Sequence, residues 1–142
     1  MKIVRFFQFG FLPQSSDLGL LVLRIWLGVS LLVLHGMSKV EGFKRLSTTF
    51  ADPLHVGHKV SLVLAIFAEA ICSILLVLGL CTRFAALCGS ILLAVAFFMV
   101  HQSHLSGTNS GELAFIYLAG HVVLFLGGGG KFSVDAGLTG KG

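Results

Sequence analysis

Charged side chains and histidines stand inside, or at the ends of, long apolar runs in this sequence. A charge at the centre of a membrane-spanning helix costs about 2.5–3.5 kcal/mol on insertion scales, so such residues usually face a bundle interior and have a partner. Carboxylates and imidazoles there can exchange protons with a ligand, and ammonium or guanidinium groups can bind its carbonyls or anionic groups. The candidates for a ligand pocket are Arg24, His35, Lys39, Glu69, His101 and Glu112.

The first apolar run carries its polar residues on one face. Arg24, Gly28, Leu31, His35 and Lys39 follow one another at intervals of four, three, four and four residues, so they lie along one side of a helix. A side with two cations, a histidine and a glycine is unsuited to lipid. We therefore expect this side to face the other helices.

Arg24 and Glu69 have opposite charges and lie in neighbouring apolar runs, so we expect them to form an ion pair. Their depths differ by roughly 7 Å at a rise of 1.5 Å per residue, which a long arginine side chain largely covers. The pair could simply lock two helices together, or it could be the charged floor of a binding pocket. The sequence leaves both interpretations open.

Alternating helix directions gather five other polar residues at one end of the molecule, with Glu69 below them. His35 and Lys39 end the first run, His101 ends the third, His104 follows in the loop, and Glu112 begins the fourth. Each also has a structural interpretation. Lys39 can snorkel to the headgroups, His101 can be an interfacial residue, and Glu112 can complete a capping box with Asn109.

The remaining histidines and the cysteines give weaker signals. His121 is nine residues after Glu112, on the opposite helix face, and is not expected to join the cluster. Three imidazoles near a loop do not make a ligand set, so no metal site is predicted. Cys72, Cys81 and Cys88 contain no CxxC pair, which disfavours a disulfide-forming membrane oxidoreductase and favours packed or lipid-facing positions.

The composition indicates whether these residues lie in a protein surrounded by water or by lipid. Of the 142 residues, 56% are hydrophobic and 11% are charged, and the mean hydropathy is +0.97. Soluble domains have about a quarter of their residues charged, so too few polar residues remain to cover a globule in water. The net charge of +4 comes from scattered basic residues that flank apolar runs, which excludes nucleic acid as a partner and favours the lipid bilayer.

Four apolar segments predict an all-α membrane protein, an antiparallel four-helix transmembrane bundle in one domain covering residues 1–142. A span needs about 20 apolar residues. The fourth segment is the shortest and could instead be re-entrant. The predicted helices cover residues 18–39, 60–81, 84–101 and 111–128.

The connections differ in length. A turn around Thr82 and Arg83 joins the second and third segments as an antiparallel hairpin. About twenty residues separate the first and second segments, enough for a short amphipathic helix on the membrane surface. Its apolar side would consist of Phe43, Leu46 and Phe50, with Lys44 and Arg45 towards the headgroups.

Basic residues give the orientation. The start, MKIVRFFQFGFLP, is too short and too interrupted for a cleavable signal peptide. The face with both termini carries Lys2, Arg5, Arg83, Lys131 and Lys141. The other face carries Lys39, Lys44, Arg45 and Lys59. The positive-inside rule therefore places both termini in the cytoplasm by a small margin.

Several motifs in their order resemble the DoxX family. HGMSK at 35–39 is similar to the His-Gly-x-x-Lys element that ends the family's first helix, and residues 52–87 resemble its second helix and turn. MVH, GELAFIYL and the tail GGGGKFSVDA resemble its later elements, so the match covers residues 18–136. The tail has four Gly where Gly-Pro-Gly is commoner, and the loop before Glu112 lacks the family's basic residue.

The resemblance implies a four-helix, multi-pass protein of the bacterial inner membrane. Family members are linked to thiosulfate:quinone oxidoreductase, to a membrane oxidoreductase complex and to methylamine dehydrogenase maturation. We therefore expect a redox-associated accessory subunit of a membrane oxidoreductase, with a polar pocket for a quinone head group or small anion at the outer end. The alternative is a non-catalytic subunit that docks or assembles other membrane or redox subunits. A small-solute carrier is the weakest hypothesis, and no haem or iron–sulfur ligand set is visible.

Overall fold

A computed structural model describes residues 4, 7–9 and 15–140, and all regular structure within them is helical. Lys2, Arg5 and Lys141, which the orientation argument uses, lie outside the described residues. The helices are α1 (Ser16–Glu41), α2 (Phe43–Leu46), α3 (His58–Leu78), α4 (Thr82–Val100), α5 (Glu112–Gly127) and α6 (Val134–Thr139).

Three of these helices are long and apolar enough to cross a bilayer. They are α1, α3 and α4, with 26, 21 and 19 residues. Helix α5 has 16 residues and spans about 24 Å, which is shorter than the roughly 30 Å hydrocarbon core. The chain is thus a multi-pass membrane protein whose large exposed apolar side chains, such as Trp26, contact the lipid.

Local signals explain where the helices begin and end. The Ser15 hydroxyl accepts a hydrogen bond from the Leu18 amide (3.2 Å) and caps α1. Helix α3 ends at Leu78 because Gly79 has a φ of 70°, a left-handed conformation that glycine adopts without strain. The connection between α3 and α4 is therefore only three residues long, at 79–81.

The four longer helices pack around one core. Helix α1 contacts α3 and α5, and α4 contacts the same two helices. Glycines allow close approach: a methyl group on Gly28 would lie 2.8 Å from the Ser73 carbonyl oxygen. The core consists of Leu27, Leu31, Cys72, Leu76, Ala85, Ala86, Leu93, Tyr117 and Leu124.

Each of the three long helices contains a π-helical turn, which lies inside α1 and α3 and forms the last turn of α4. The turns are Leu32–Gly36 in α1, Phe67–Ile71 in α3 and Ala96–Val100 in α4. The first two contact each other. Such turns re-aim side chains by adding one residue to the helix, and they are frequent at functional sites.

The segment between α1 and α3 has one half-buried side and one exposed side. Phe43, Leu46 and Phe50 are half-buried, whereas Lys44 and Arg45 are exposed. This is the two-sided distribution that the sequence predicts, although α2 itself has only four residues.

Asp52 then fixes the start of α3. Its carboxylate accepts hydrogen bonds from the Ser61 hydroxyl (2.7 Å) and from the amides of Val56 (3.0 Å) and Gly57 (2.7 Å). The hydrogen bond from Ser61 and then the two amide bonds hold the pKa of Asp52 below its usual value. The carboxylate therefore stays charged at the amino end of α3, where a negative charge is favourable.

The C-terminal tail binds the turn between α3 and α4. Asp135 accepts hydrogen bonds from the backbone amides of Cys81 (2.7 Å), which precedes α4, and of Thr82 (2.8 Å), the first residue of α4. Its own amide donates to the Gly79 carbonyl (2.9 Å). We call this region the closing end: the turn at 79–81, the tail at 127–136 and the side chain of Arg24.

Candidate functional site

Lys39 and Glu69 form the central contact of the site. The Lys39 Nζ lies 2.5 Å from the Glu69 Oε2, and the two side chains are only 17% and 11% exposed. The expected pair of Arg24 with Glu69 is wrong, because Glu69 binds the lysine and Arg24 binds groups at the closing end. Lys39 thus points into the helix packing rather than out to the headgroups.

The packing of α1 on α3 brings the pair together. A methyl group on Gly36 would lie 2.7 Å from the Glu69 carbonyl oxygen, so the two backbones touch at this level. Gly36 is five residues from the end of α1 at Glu41, whereas Glu69 is eleven residues from the start of α3 at His58. Where α1 ends and α3 begins, helix α3 therefore extends about 9 Å beyond α1. Glu69 consequently lies level with the last turns of α1.

His35 is the third member of the site. It lies in the π turn of α1, is half-buried, and interacts electrostatically with both Glu69 and Lys39. Its ring meets the ring of Tyr117 on α5 edge-on, with 6.1 Å between centroids and 85° between planes. Tyr117 is 7% exposed and is the one tyrosine of the sequence. Sequence reasoning missed it because an isolated aromatic residue in an apolar run has no distinguishing signal.

Arg24 lies away from these residues. It is fifteen residues before Lys39 on α1, about 22 Å along the helix axis. Its side chain is buried, with 1% exposure, and donates from Nη1 to the Leu76 and Val77 carbonyls (3.4 and 3.5 Å) and from Nη2 to the Phe132 carbonyl. Arg24 therefore neutralises the carboxyl end of α3.

His101 and Glu112 sit at the loop between α4 and α5. The His101 Nδ1 lies 3.2 Å from the Asn109 side-chain oxygen, and its Cβ packs on Gly111. Glu112 is exposed, and its amide donates to the Ser110 hydroxyl (3.2 Å). Helix α5 begins after Gly111, so the capping box between Asn109 and Glu112 does not form.

His121 is buried between α4 and α5. Its Nδ1–H donates to the Tyr117 carbonyl (2.8 Å), and its ring packs against Gly89, where no larger residue would fit. It lies one turn further along α5 than Tyr117 and does not contact the Lys39–Glu69 pair.

The site therefore combines an ammonium group, a carboxylate and an imidazole at one end of α1 and α3. These groups can bind a carbonyl or anionic oxygen and can take up or release protons. Within the described part of the chain, no group of three His, Cys, Asp or Glu residues is placed to hold a metal ion. A shallow surface depression lies at the end of α1, lined by Ser38, Glu41, Gly42, Lys44 and Arg45.

Comparisons with known proteins agree with the resemblance. The DoxX family model matches residues 19–102. An uncharacterized protein of Haemophilus influenzae is 31% identical over 129 residues, which cover 85% of this chain and 83% of that protein. No solved structure matches. The matched region contains His35, Lys39, Glu69 and both of the contacting π turns. The chain belongs to the DoxX family.

Proposed function

We propose that this protein is a redox-associated subunit of the bacterial inner membrane that binds a quinone head group beside Lys39, Glu69 and His35. The observation that carries the proposal is the nearly buried Lys39–Glu69 pair between two contacting π turns. Charged residues within membrane helices are expensive and usually mark ligand or proton pathways. A purely structural role for the pair is less expected here, because apolar residues of similar volume often stabilise the fold as well as a buried ion pair, or better.

The three side chains suit a ligand that changes its charge and protonation together. The Lys39 ammonium can donate a hydrogen bond to a quinone carbonyl. The Glu69 carboxylate and the His35 imidazole can hold the protons that a quinone takes up when it is reduced. The aromatic ring of Tyr117, edge-on to His35, can form an apolar wall of the same site. His101 and Glu112 stay predictions for the outer rim.

The proposal includes an antiparallel four-helix transmembrane bundle with the closing end, and thus both termini, in the cytoplasm. The ring of helix contacts and the short turn at 79–81 support the antiparallel arrangement. Arg83 and Lys131 lie at the closing end and would follow the positive-inside rule. Reporter fusions test it: a fluorescent protein after residue 140 should fluoresce, and alkaline phosphatase at residue 106 should be active. The reverse pattern would invert the orientation.

Quinone binding is the direct test. The purified protein in lipid nanodiscs should bind radiolabelled decylubiquinone, and Glu69→Gln and Lys39→Met should each weaken binding about tenfold, the equivalent of one lost charged hydrogen bond. The matched controls are Glu41→Gln and Lys44→Met, which remove the same charges from exposed positions at the same end. Both controls should bind as the wild type does.

A wild-type protein that binds no decylubiquinone, or charge variants that bind it normally, would refute the quinone site. The first of these results would favour the alternative of a docking or assembly subunit. That alternative predicts a second membrane or redox protein that co-purifies from native membranes in mild detergent.

A further inference from the structure

Cys72 and Cys88 are paired by the hairpin of α3 and α4. Each is eight residues from Leu80 at the centre of the turn, so in an antiparallel hairpin they lie at the same depth. Cys88 packs against the core cluster that contains Cys72, the two thiols are electrostatic neighbours, and both are free. Cys72 has 0% exposure, whereas Cys88 is half-buried at the margin of the core.

The surrounding residues allow the two helices to approach closely. Ala85 and Ala86 on α4 are buried, and Ser73 on α3 is buried next to Cys72. A disulfide needs Cα atoms about 4.4–6.8 Å apart, a separation that helices reach only where their contact residues are small. The absence of a CxxC motif therefore does not exclude a dithiol, since the fold pairs cysteines that are sixteen residues apart.

We propose that Cys72 and Cys88 form a redox-active dithiol within the membrane, oxidised to an interhelical disulfide by a quinone-class oxidant dissolved in the bilayer. This inference rests on the proposed function for the identity of the oxidant. Cys88 is the thiol that such an oxidant reaches, and Cys72 is the resolving thiol behind it.

The reaction balances with the quinone as the only co-reactant. Both S–H bonds break and one S–S bond forms between Cys72 and Cys88. The pair of electrons and both protons pass to the quinone, which becomes a quinol and returns to the bilayer. Glu69 lies in the π turn of α3, three residues before Cys72, which directly follows that turn. The dithiol therefore lies close below the polar site.

The test uses a Cys81→Asn background, because Cys81 is exposed and its φ of 49° suits asparagine. The reduced full-length protein in nanodiscs is incubated anaerobically with decylubiquinone. Free thiols are counted after denaturation with a PEG-maleimide, and quinol is followed by ultraviolet absorbance. Both thiols should be lost, with one quinol formed per protein. The added Cys88→Ala change should keep the Cys72 thiol free and form no quinol.

Persistence of both thiols with decylubiquinone overturns the proposal, even if diamide, a small permeant oxidant, closes the pair. The Glu69→Gln variant separates this inference from the proposed function. If the dithiol of that variant reduces decylubiquinone normally, the dithiol is supported and the Lys39–Glu69 head-group site is refuted. If the wild type binds decylubiquinone and keeps its thiols, the head-group site stands and the dithiol is refuted.

Discussion

At the scale of single residues, we expect substitutions of Lys39 and Glu69 to have strongly non-additive effects on the free energy of unfolding. Lys39→Met alone leaves a nearly buried carboxylate unpaired, which should cost roughly 3 kcal/mol, at the lower end of the range for buried pairs because both side chains keep some exposure. Glu69→Gln alone should cost a similar amount. The double variant removes both charges and should lose less than the sum of the two.

The measurement is reversible unfolding in mixed detergent and SDS micelles for the wild type, the two single variants and the double variant. Coupling below about 0.5 kcal/mol would contradict the tight pair, since independent sites add to within that value. Lys44→Met with Glu41→Gln is the control cycle, because both residues are exposed and form no ion pair with each other.

The sequence identifies both members of this pair as candidates but assigns Glu69 the wrong partner. The reason is geometric. A depth taken from the end of each apolar run assumes that all runs end at one surface, whereas α3 projects beyond α1 by about 9 Å. The backbone contacts of Gly36 with Glu69 and of Gly28 with Ser73 set the relative height of the two helices, and hydropathy does not reveal such contacts.

At the scale of helices, the close approach of α1 and α3 depends on glycine. Gly36→Ala would place a methyl group 2.7 Å from the Glu69 carbonyl oxygen, and a backbone oxygen cannot swing aside. We expect overpacking to cost about 1–3 kcal/mol and to separate Lys39 from Glu69. Gly19→Ala is the matched control on the same helix, because nothing lies within 4 Å of its added methyl group.

Thermal unfolding in detergent together with decylubiquinone binding tests this prediction. Gly36→Ala should lower the melting temperature and weaken binding, while Gly19→Ala should leave the binding unchanged and raise stability slightly, since alanine favours a helix over glycine. Equal stability of the two variants would show that α1 and α3 do not pack as closely as described.

The helices themselves are predictable from apolar run length, because three runs reach about the length of a span. The three π turns are not predictable. A π turn inserts one residue without changing which residue types are apolar, and its position is set by packing between helices. Consequently the π turn at Leu32–Gly36 distorts the face on which regular helical spacing places Arg24, His35 and Lys39. His35 lies within this turn, and its ring contacts the ring of Tyr117.

At the scale of the whole molecule, the chain has two polar regions with different roles. The site at Lys39 and Glu69 pairs charges beside the ends of two helices, and the closing end ties the tail to the hairpin through Arg24 and Asp135. The sequence contains the motifs of both regions, yet it does not show that the tail returns to cap α4. That contact joins Asp135 to residues more than fifty positions earlier.

Asp135 makes the stability of the closing end depend on pH. Burial raises the pKa of Asp135, but the hydrogen bonds from Thr82 and Cys81 and the charge of Arg24 outweigh it and hold the pKa below its usual value. A lowered pKa in the folded state stabilises the fold fully above the unfolded-chain pKa, about 3.9, and this contribution is lost as the pH falls through the folded value. The wild type should therefore lose stability as the pH falls below about 3.9, in part through this group.

Asp135→Asn removes the titrating group while keeping one acceptor oxygen, so it should destabilise the protein by about 1 kcal/mol at pH 7. The difference from the wild type should shrink as the pH falls, because protonated Asp135 resembles the asparagine. Melting temperatures of both proteins across the pH series measure this, with Glu112→Gln as the control that removes an exposed acid from the opposite end. A gap between wild type and Asp135→Asn that stays constant with pH would show that the carboxylate charge does not bind the tail to α4.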